Sequence, residues 1–215
     1  MIIMSDTIAG IRIPDSKVAR AATDLVLTED TDLLYHHSRR VFLWGSLKAN
    51  ALGLTPDPEL SYVAAMFHDL GLTERYRRTD QRFELDGADI AKSFLIDHGY
   101  SIDEAQTAWL AIALHTTPGI AVRLAPEVAL VTLGVEGDVL GLDLNLITDN
   151  AKTEVTTAHP RIDFKQRIQK AFYDGMKDRP DTTFGTMNDD VLAKFDPHFQ
   201  REDFTAIIDG SPWRE

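Results

Sequence analysis

His37, His68, His115 and Asp138 stand at positions that a helical reading turns toward apolar neighbours, and Asp69 directly follows His68. His37 comes four residues after Leu33 and four before Val41, which places it on the buried stripe of its segment. His68 follows Ala64 by four and Leu60 by eight; His115 follows Ile112 by three and Ala108 by seven. Asp138 follows Val135 by three and Val131 by seven. A carboxylate facing a core costs free energy unless it is paired, hydrogen-bonded or bound to a metal. Any one of these histidines alone reads as a satisfied core residue, and Asp138 alone as a helix-end carboxylate. Together with the adjacent His68-Asp69 pair they read as ligands for a divalent ion. The chain contains no cysteine, which excludes thiolate metal sites, disulfides and cysteine nucleophiles. A donor set of His, Asp and Glu suits zinc, iron, manganese, nickel or cobalt.

Helices have to position these groups. From Asp30 to about Leu52 the apolar residues Leu33, Val41, Trp44, Leu47 and Ala51 recur at helical spacing, and Gly53 stands where a C-cap glycine would. Asp57-Pro58 predicts an N-cap followed by proline at the first helical position. That helix carries Leu60, Val63, Ala64 and Phe67, runs to Asp69 or just beyond, and is ended by Gly71. Residues 73–85 are charged without clean periodicity and read as a loop. A helix follows from about Asp86 to His98, closed by Gly99. Ser101 and Glu104 form a capping box opening a helix through Ile112 to His115. Pro126-Glu127 opens another, with Val128, Val131 and Val135. Phe164, Ile168, Phe172 and Met176 share one face behind Asp163, and a short helix near Asp189–Phe195 precedes a polar tail. Ile11-Arg12-Ile13 is the one alternating scrap. The expectation is an all-α helical bundle, one domain over residues 1–215, with a core at about 30–140 and the terminal segments packed on it.

The short connection from Gly53 to Asp57 makes the first two helices an antiparallel hairpin. His37 lies sixteen residues before Gly53 and His68 fifteen after it, so both reach nearly the same height. His68, His115 and Asp138 fall near helix C-termini, whose partial negative charge favours a cation. Adjacent helical residues diverge by about 100°, so His68 and Asp69 face one ion only if the helix ends or deforms there.

The formal net charge of −12 argues against nucleic-acid polymers and anionic membranes as partners. No apolar run approaches the roughly 18–20 residues that cross a bilayer. Met1-Ile2-Ile3-Met4 is too short for a signal-peptide core, so a cytoplasmic location is expected. A small-molecule substrate is the expected partner, and a homo-oligomer is compatible with the composition.

The order His37, His68-Asp69, Asp138 resembles the H…HD…D pattern of the HD-domain superfamily of metal-dependent hydrolases. The HD pair alone is weak, but here it sits within Ala64-Ala65-Met66-Phe67-His68-Asp69-Leu70-Gly71. Further segments resemble the cyanamide-hydratase-like branch: His37-Ser38-Arg39-Arg40-Val41-Phe42, Arg82-Phe83-Glu84-Leu85-Asp86-Gly87-Ala88 and Ala111-Ile112-Ala113-Leu114-His115-Thr116. Gly134–Gly141 and His159-Pro160-Arg161 fit the same branch. One departure is visible: His36 stands where that pattern has Asn before the first ligand histidine.

The resemblance implies a metal site between helices, with His37, His68, Asp69 and Asp138 holding one divalent ion, zinc first among those named. It implies that Asp69 takes part in catalysis and that His115 lies beside the site for substrate contact or proton transfer. Glu84 is a candidate for orienting the water or the ligand histidines, or else a surface carboxylate. His98 and His115 are the candidates for a second metal, and His98 at a helix end reads better as solvated. The implied reaction adds metal-activated water to a small substrate such as a nitrile, cyanamide being the example. Two alternatives stand beside it. Arg75, Arg77, Arg78 and Arg82 could bind phosphate in an HD phosphohydrolase, and the scaffold could serve a non-enzymatic small-ligand-binding protein.

Overall fold

The computed structural model describes residues 6–29 and 32–213. The expected helix start at Asp30 and the opening Met1–Met4 lie outside the described residues. Among those described there are ten α-helices and one two-stranded hairpin. The hairpin pairs β1 (Thr7–Ile8) with β2 (Ile11–Arg12), Ile8 opposite Ile11, across an Ala9-Gly10 turn with positive φ at both residues. The helices are α1 (Lys17–Glu29), α2 (Asp32–Ala51), α3 (Pro58–Phe67), α4 (Phe83–Asp97) and α5 (Ile102–Ala113). Then come α6 (Pro126–Val135), α7 (Asp149–Ala158), α8 (Phe164–Met176), α9 (Asn188–Phe195) and α10 (Phe204–Asp209). The all-α expectation holds. No described helix is long and apolar enough to cross a membrane.

Local chemistry explains most boundaries. Asp57 caps α3 by accepting from the Leu60 amide at 2.8 Å, with Pro58 at the first helical position. Ser101 and Glu104 form the reciprocal capping box of α5. Helices α1 and α7 have no counterpart among the expected elements, and α4 begins three residues earlier than expected, at Phe83. The segment read as a polar tail contains α10, whose residues are all exposed.

The centre of the bundle is α2, which packs against α3, α6 and α8. Its closest neighbour is α6: a Cβ on Gly134 would overlap the carbonyl oxygen of Val41. The main core gathers α1 to α6 around Val41, Phe42, Tyr62, Phe67 and Leu130. Helices α8 and α9 are fastened through two smaller clusters. Phe164 and Ile168 pack on Leu33 and Leu34 at the start of α2, while Met176 and Leu192 pack on Leu72 and Phe83. A cavity is left between these clusters and the main core, and His37, His68 and His115 open into it.

Candidate metal centre

Three of the expected site residues meet at one point. The structure brings one ligand atom each from His37, His68 and Asp69 within 4.8 Å of one another, all three side chains being buried. His37 Nε2 and His68 Nε2 are 3.2 Å apart, the outcome that equal heights on the α2–α3 hairpin require. The adjacency problem at His68-Asp69 is solved by ending the helix. Helix α3 stops at Phe67, His68 keeps helical angles, and Asp69 moves to φ −104°, ψ 4° before a 3₁₀ turn over Leu70–Leu72. Asp69 Oδ2 then lies 3.2 Å from His68 Nε2 and 3.5 Å from His37 Nε2. Gly71 permits this turn to press on α4, since a Cβ there would overlap the carbonyl oxygen of Phe83.

The hydrogen bonds behind the rings decide what this cluster can bind. His68 Nδ1 donates to the Ala65 carbonyl at 2.8 Å, and His115 Nδ1 donates to the Ile112 carbonyl at 2.6 Å. His37 Nδ1 donates to Asp138 Oδ2 at 2.7 Å. With the Nδ1 protons committed, each neutral ring presents an Nε2 lone pair to the interior. Lone pairs on two facing nitrogens 3.2 Å apart repel unless a cation or a proton lies between them. Beside them Asp69 is 2% exposed, and neither carboxylate oxygen accepts a hydrogen bond of adequate geometry. A buried, unpartnered carboxylate among imidazole lone pairs is costly in itself and fits a divalent cation. Burial alone would raise the Asp69 carboxyl, but attraction to the protonated forms of His68, His37 and His115 would hold it below the usual carboxylate range. Burial lowers His37 despite its bond to Asp138, and with the neighbouring His68 it lowers His115 to about 4.

Residues 34–149, more than half of the chain, match the family model of the HD domain. The chain belongs to the HD-domain family. HD domains are generally metal-dependent hydrolases that bind a divalent ion, and the donor set here is compatible with that chemistry. No curated protein sequence matches the chain.

Asp138 stands apart from the other expected ligands. The HD domain's last helix, α6, continues as a π-helical turn over Glu136–Leu140, and Gly141 ends it at φ 71°. The added residue changes where Asp138 points. Its carboxylate lies against the Nδ1 side of His37, on the face of the ring opposite the cluster. Oδ1 accepts from Arg40 Nε at 2.8 Å, from Trp44 Nε1 at 2.9 Å and from Arg161; Oδ2 accepts from Arg40 Nη2 at 2.9 Å and from His37. Both oxygens are thus occupied by donors. Burial would raise the Asp138 carboxyl, yet the bonds from His37 and Arg40 hold it well below the usual range. Lys48 braces the π turn, donating to the carbonyls of Leu133 at 2.9 Å and Leu142 at 2.7 Å.

His115 Nε2 stands 3.7 Å from Asp69 Oδ1, beside the cluster at the cavity wall. Glu84 is fully buried: Arg82, Thr116 and Asn188 donate to it, so it is not the surface carboxylate of the alternative reading. It does not line the cavity; Thr116 and Asn188, which it holds, do. His98 is exposed and caps the end of α4, outside the cavity. His36 turns away from the site and meets His159, Nδ1 to Nδ1 at 3.0 Å. His159, just past the end of α7, is 5% exposed and accepts from Arg39 Nε at 3.4 Å. Sequence reasoning gave no role to Arg40 or Arg161. The available signal was Arg40's place three residues after His37, on the same inward face of α2.

Proposed function

We propose that this HD domain is a metal-dependent enzyme that adds water to a small uncharged electrophile, with nitrile hydration of the cyanamide-hydratase-like kind as the leading case. The observation that carries the reading is the buried Asp69 carboxylate without a hydrogen-bond donor, set among Nε2 atoms whose rings are oriented from behind. His37, His68 and Asp69 would hold one divalent ion, zinc being the first to try. Bound there, the ion supplies Lewis acidity that makes water nucleophilic near neutral pH.

The chain's own groups then have separate tasks. Asp138 keeps the Nδ1 proton of His37 in place and so aims its Nε2 lone pair. His115, neutral at pH 7 with Nε2 bare, takes a proton from the attacking water and returns it to the nitrile nitrogen. The balance is R–C≡N + H₂O → R–C(=O)NH₂, with a C–O bond formed and both protons of the water ending on nitrogen. Glu84 fixes Thr116 and Asn188 at the cavity wall.

A phosphohydrolase is less well supported. Arg78 is paired bidentately with Asp80, Arg82 with Glu84, and Arg77 with Asp178. Neither these nor Arg75 lines the cavity. Metal analysis of the purified chain, followed by assays of cyanamide, larger nitriles and a nucleotide panel, tests the proposal. About one ion per chain, lost in His68→Ala, and ammonia-free amide formation from a nitrile are the expected results. Phosphate release with no nitrile consumed refutes it.

A further inference from the structure

The cavity over the metal centre has a volume of about 270 Å³. With about 30 Å³ per molecule of liquid water, that corresponds to room for a ligand on the order of ten non-hydrogen atoms. Cyanamide, H₂N–C≡N, would occupy a small part of it even after an ion and its water are allowed for. The walls are mostly apolar. Phe164, Ile168 and Phe172 come from one face of α8, Val191 from α9, and Val135 and Val139 from α6 and its π turn. Besides the histidines and Asp69, much of the wall therefore comes from α8 and α9, beyond residues 34–149 that match the family model.

The charge pattern is equally specific. Apart from the metal cluster and His115, the ionisable residues at the walls are Lys165 and Glu136, of opposite sign. Lys165 is exposed, and Glu136 is half-buried with its carboxyl raised by burial and by Asp143, though Lys48 opposes this. Among the described residues no arginine lines the cavity. Arg40 and Arg161 lie over the Phe164 ring at 4.7 and 4.3 Å, and both guanidinium groups bond to Asp138 instead. The polar groups nearest the interior, Thr116 and Asn188, are neutral and held by Glu84. An anionic head group would find one cationic side chain at the walls besides the metal, the exposed Lys165, and Glu136 there offsets its charge. A neutral polar group on an apolar body matches the walls throughout.

Resting on the water-addition reading above, we infer that the substrate is an uncharged nitrile whose apolar body is the size of an aromatic ring, selected by α8 and α9. The test uses the full chain loaded with zinc, with benzamide, benzonitrile, cyanamide and phenyl phosphate as probes, binding being followed by calorimetry. Val191→Trp, at a half-buried position, and Met187→Trp, at an exposed one, narrow the cavity without touching the metal cluster. Benzamide and benzonitrile should bind at least tenfold more tightly than phenyl phosphate. Both tryptophan variants should weaken benzamide binding at least tenfold at unchanged zinc content. If Val191→Trp fails to fold, Met187→Trp carries the test alone. Phenyl phosphate binding as tightly as benzamide, or benzamide binding unchanged in the folded variants, overturns the inference. Hydration of cyanamide by a protein that does not bind benzamide overturns it too, while leaving water addition intact. Benzonitrile that binds as described but is never hydrated supports the pocket assignment and removes the nitrile reaction.

Discussion

Asp69→Asn separates the cost of the metal centre from its use. The substitution keeps the shape of the side chain and removes its charge. In the metal-free protein Asp69 is buried with both oxygens lacking a hydrogen bond, and three Nε2 lone pairs face it. An unsatisfied buried group costs about 1–3 kcal/mol. The carboxamide of Asn supplies two N–H donors where those lone pairs converge, so the metal-free variant should be the more stable by an amount in that range. For a chain of this length 1 kcal/mol corresponds to roughly 2–4 °C in Tm. Divalent ion at 100 times its Kd should stabilise the wild type by about 2.7 kcal/mol, or roughly 5–10 °C. Asp69→Asn should lose that shift. Thermal unfolding of both proteins, stripped with chelator and then titrated with zinc or manganese, reads all four states. A stripped variant less stable than the stripped wild type, or a variant that keeps the metal-dependent shift, would refute the reasoning.

Three further expectations follow from the same geometry. Asp138→Asn leaves the buried Arg40 guanidinium without its carboxylate and should cost about 3–5 kcal/mol in urea unfolding. Metal affinity in the same variant should fall about 10–100-fold, the effect of losing an orienting partner, and a complete loss in the folded variant would instead mark Asp138 as a ligand. His115→Asn should reduce turnover about 10²–10⁴-fold with one ion per chain retained; loss of the ion would make His115 a ligand. His159 contributes to the acid sensitivity of the fold. Burial first, then Arg39, His36 and Arg40, push it down to about 3, so it is neutral when folded but protonates near pH 6.5 when unfolded. The unfolded chain therefore binds the extra proton, and stability falls as pH drops from about 6.5 toward 3. Between pH 7.5 and 5 this amounts to about 2 kcal/mol at full shift, discounted to about 1 kcal/mol for solvent screening. His159→Gln should flatten that part of the pH–stability curve, and an unchanged slope would exclude His159 as its source.

Local rules carried the sequence a long way. Capping chemistry at Asp57, Ser101 and Pro126, together with apolar spacing, placed six of the helices that shape the site. The meeting of His37 with His68 followed from hairpin length and helix rise, because both are properties of the chain between Asp32 and Phe67, while Asp69 joins them because α3 ends at Phe67. Helix α7 escaped because its apolar residues, Ala151, Val155 and Ala158, are few and small, whereas α1 escaped although Val18, Ala22, Leu25 and Val26 recur at helical spacing.

Asp138 marks where local rules stop. Its α-helical register points inward, but the π turn at Glu136–Leu140 depends on Lys48, 88 residues earlier, and on Arg40, Trp44 and Arg161 competing for the carboxylate. The role of Glu84 likewise needed Thr116 and Asn188 to arrive from distant segments. The sequence by itself determined most of the helices that shape the site and the approach of His37 to His68, since those rest on periodicity and on one short hairpin. Tertiary structure decided which carboxylate faces the site and which braces it, and what walls the cavity, because those outcomes depend on partners that only folding brings together.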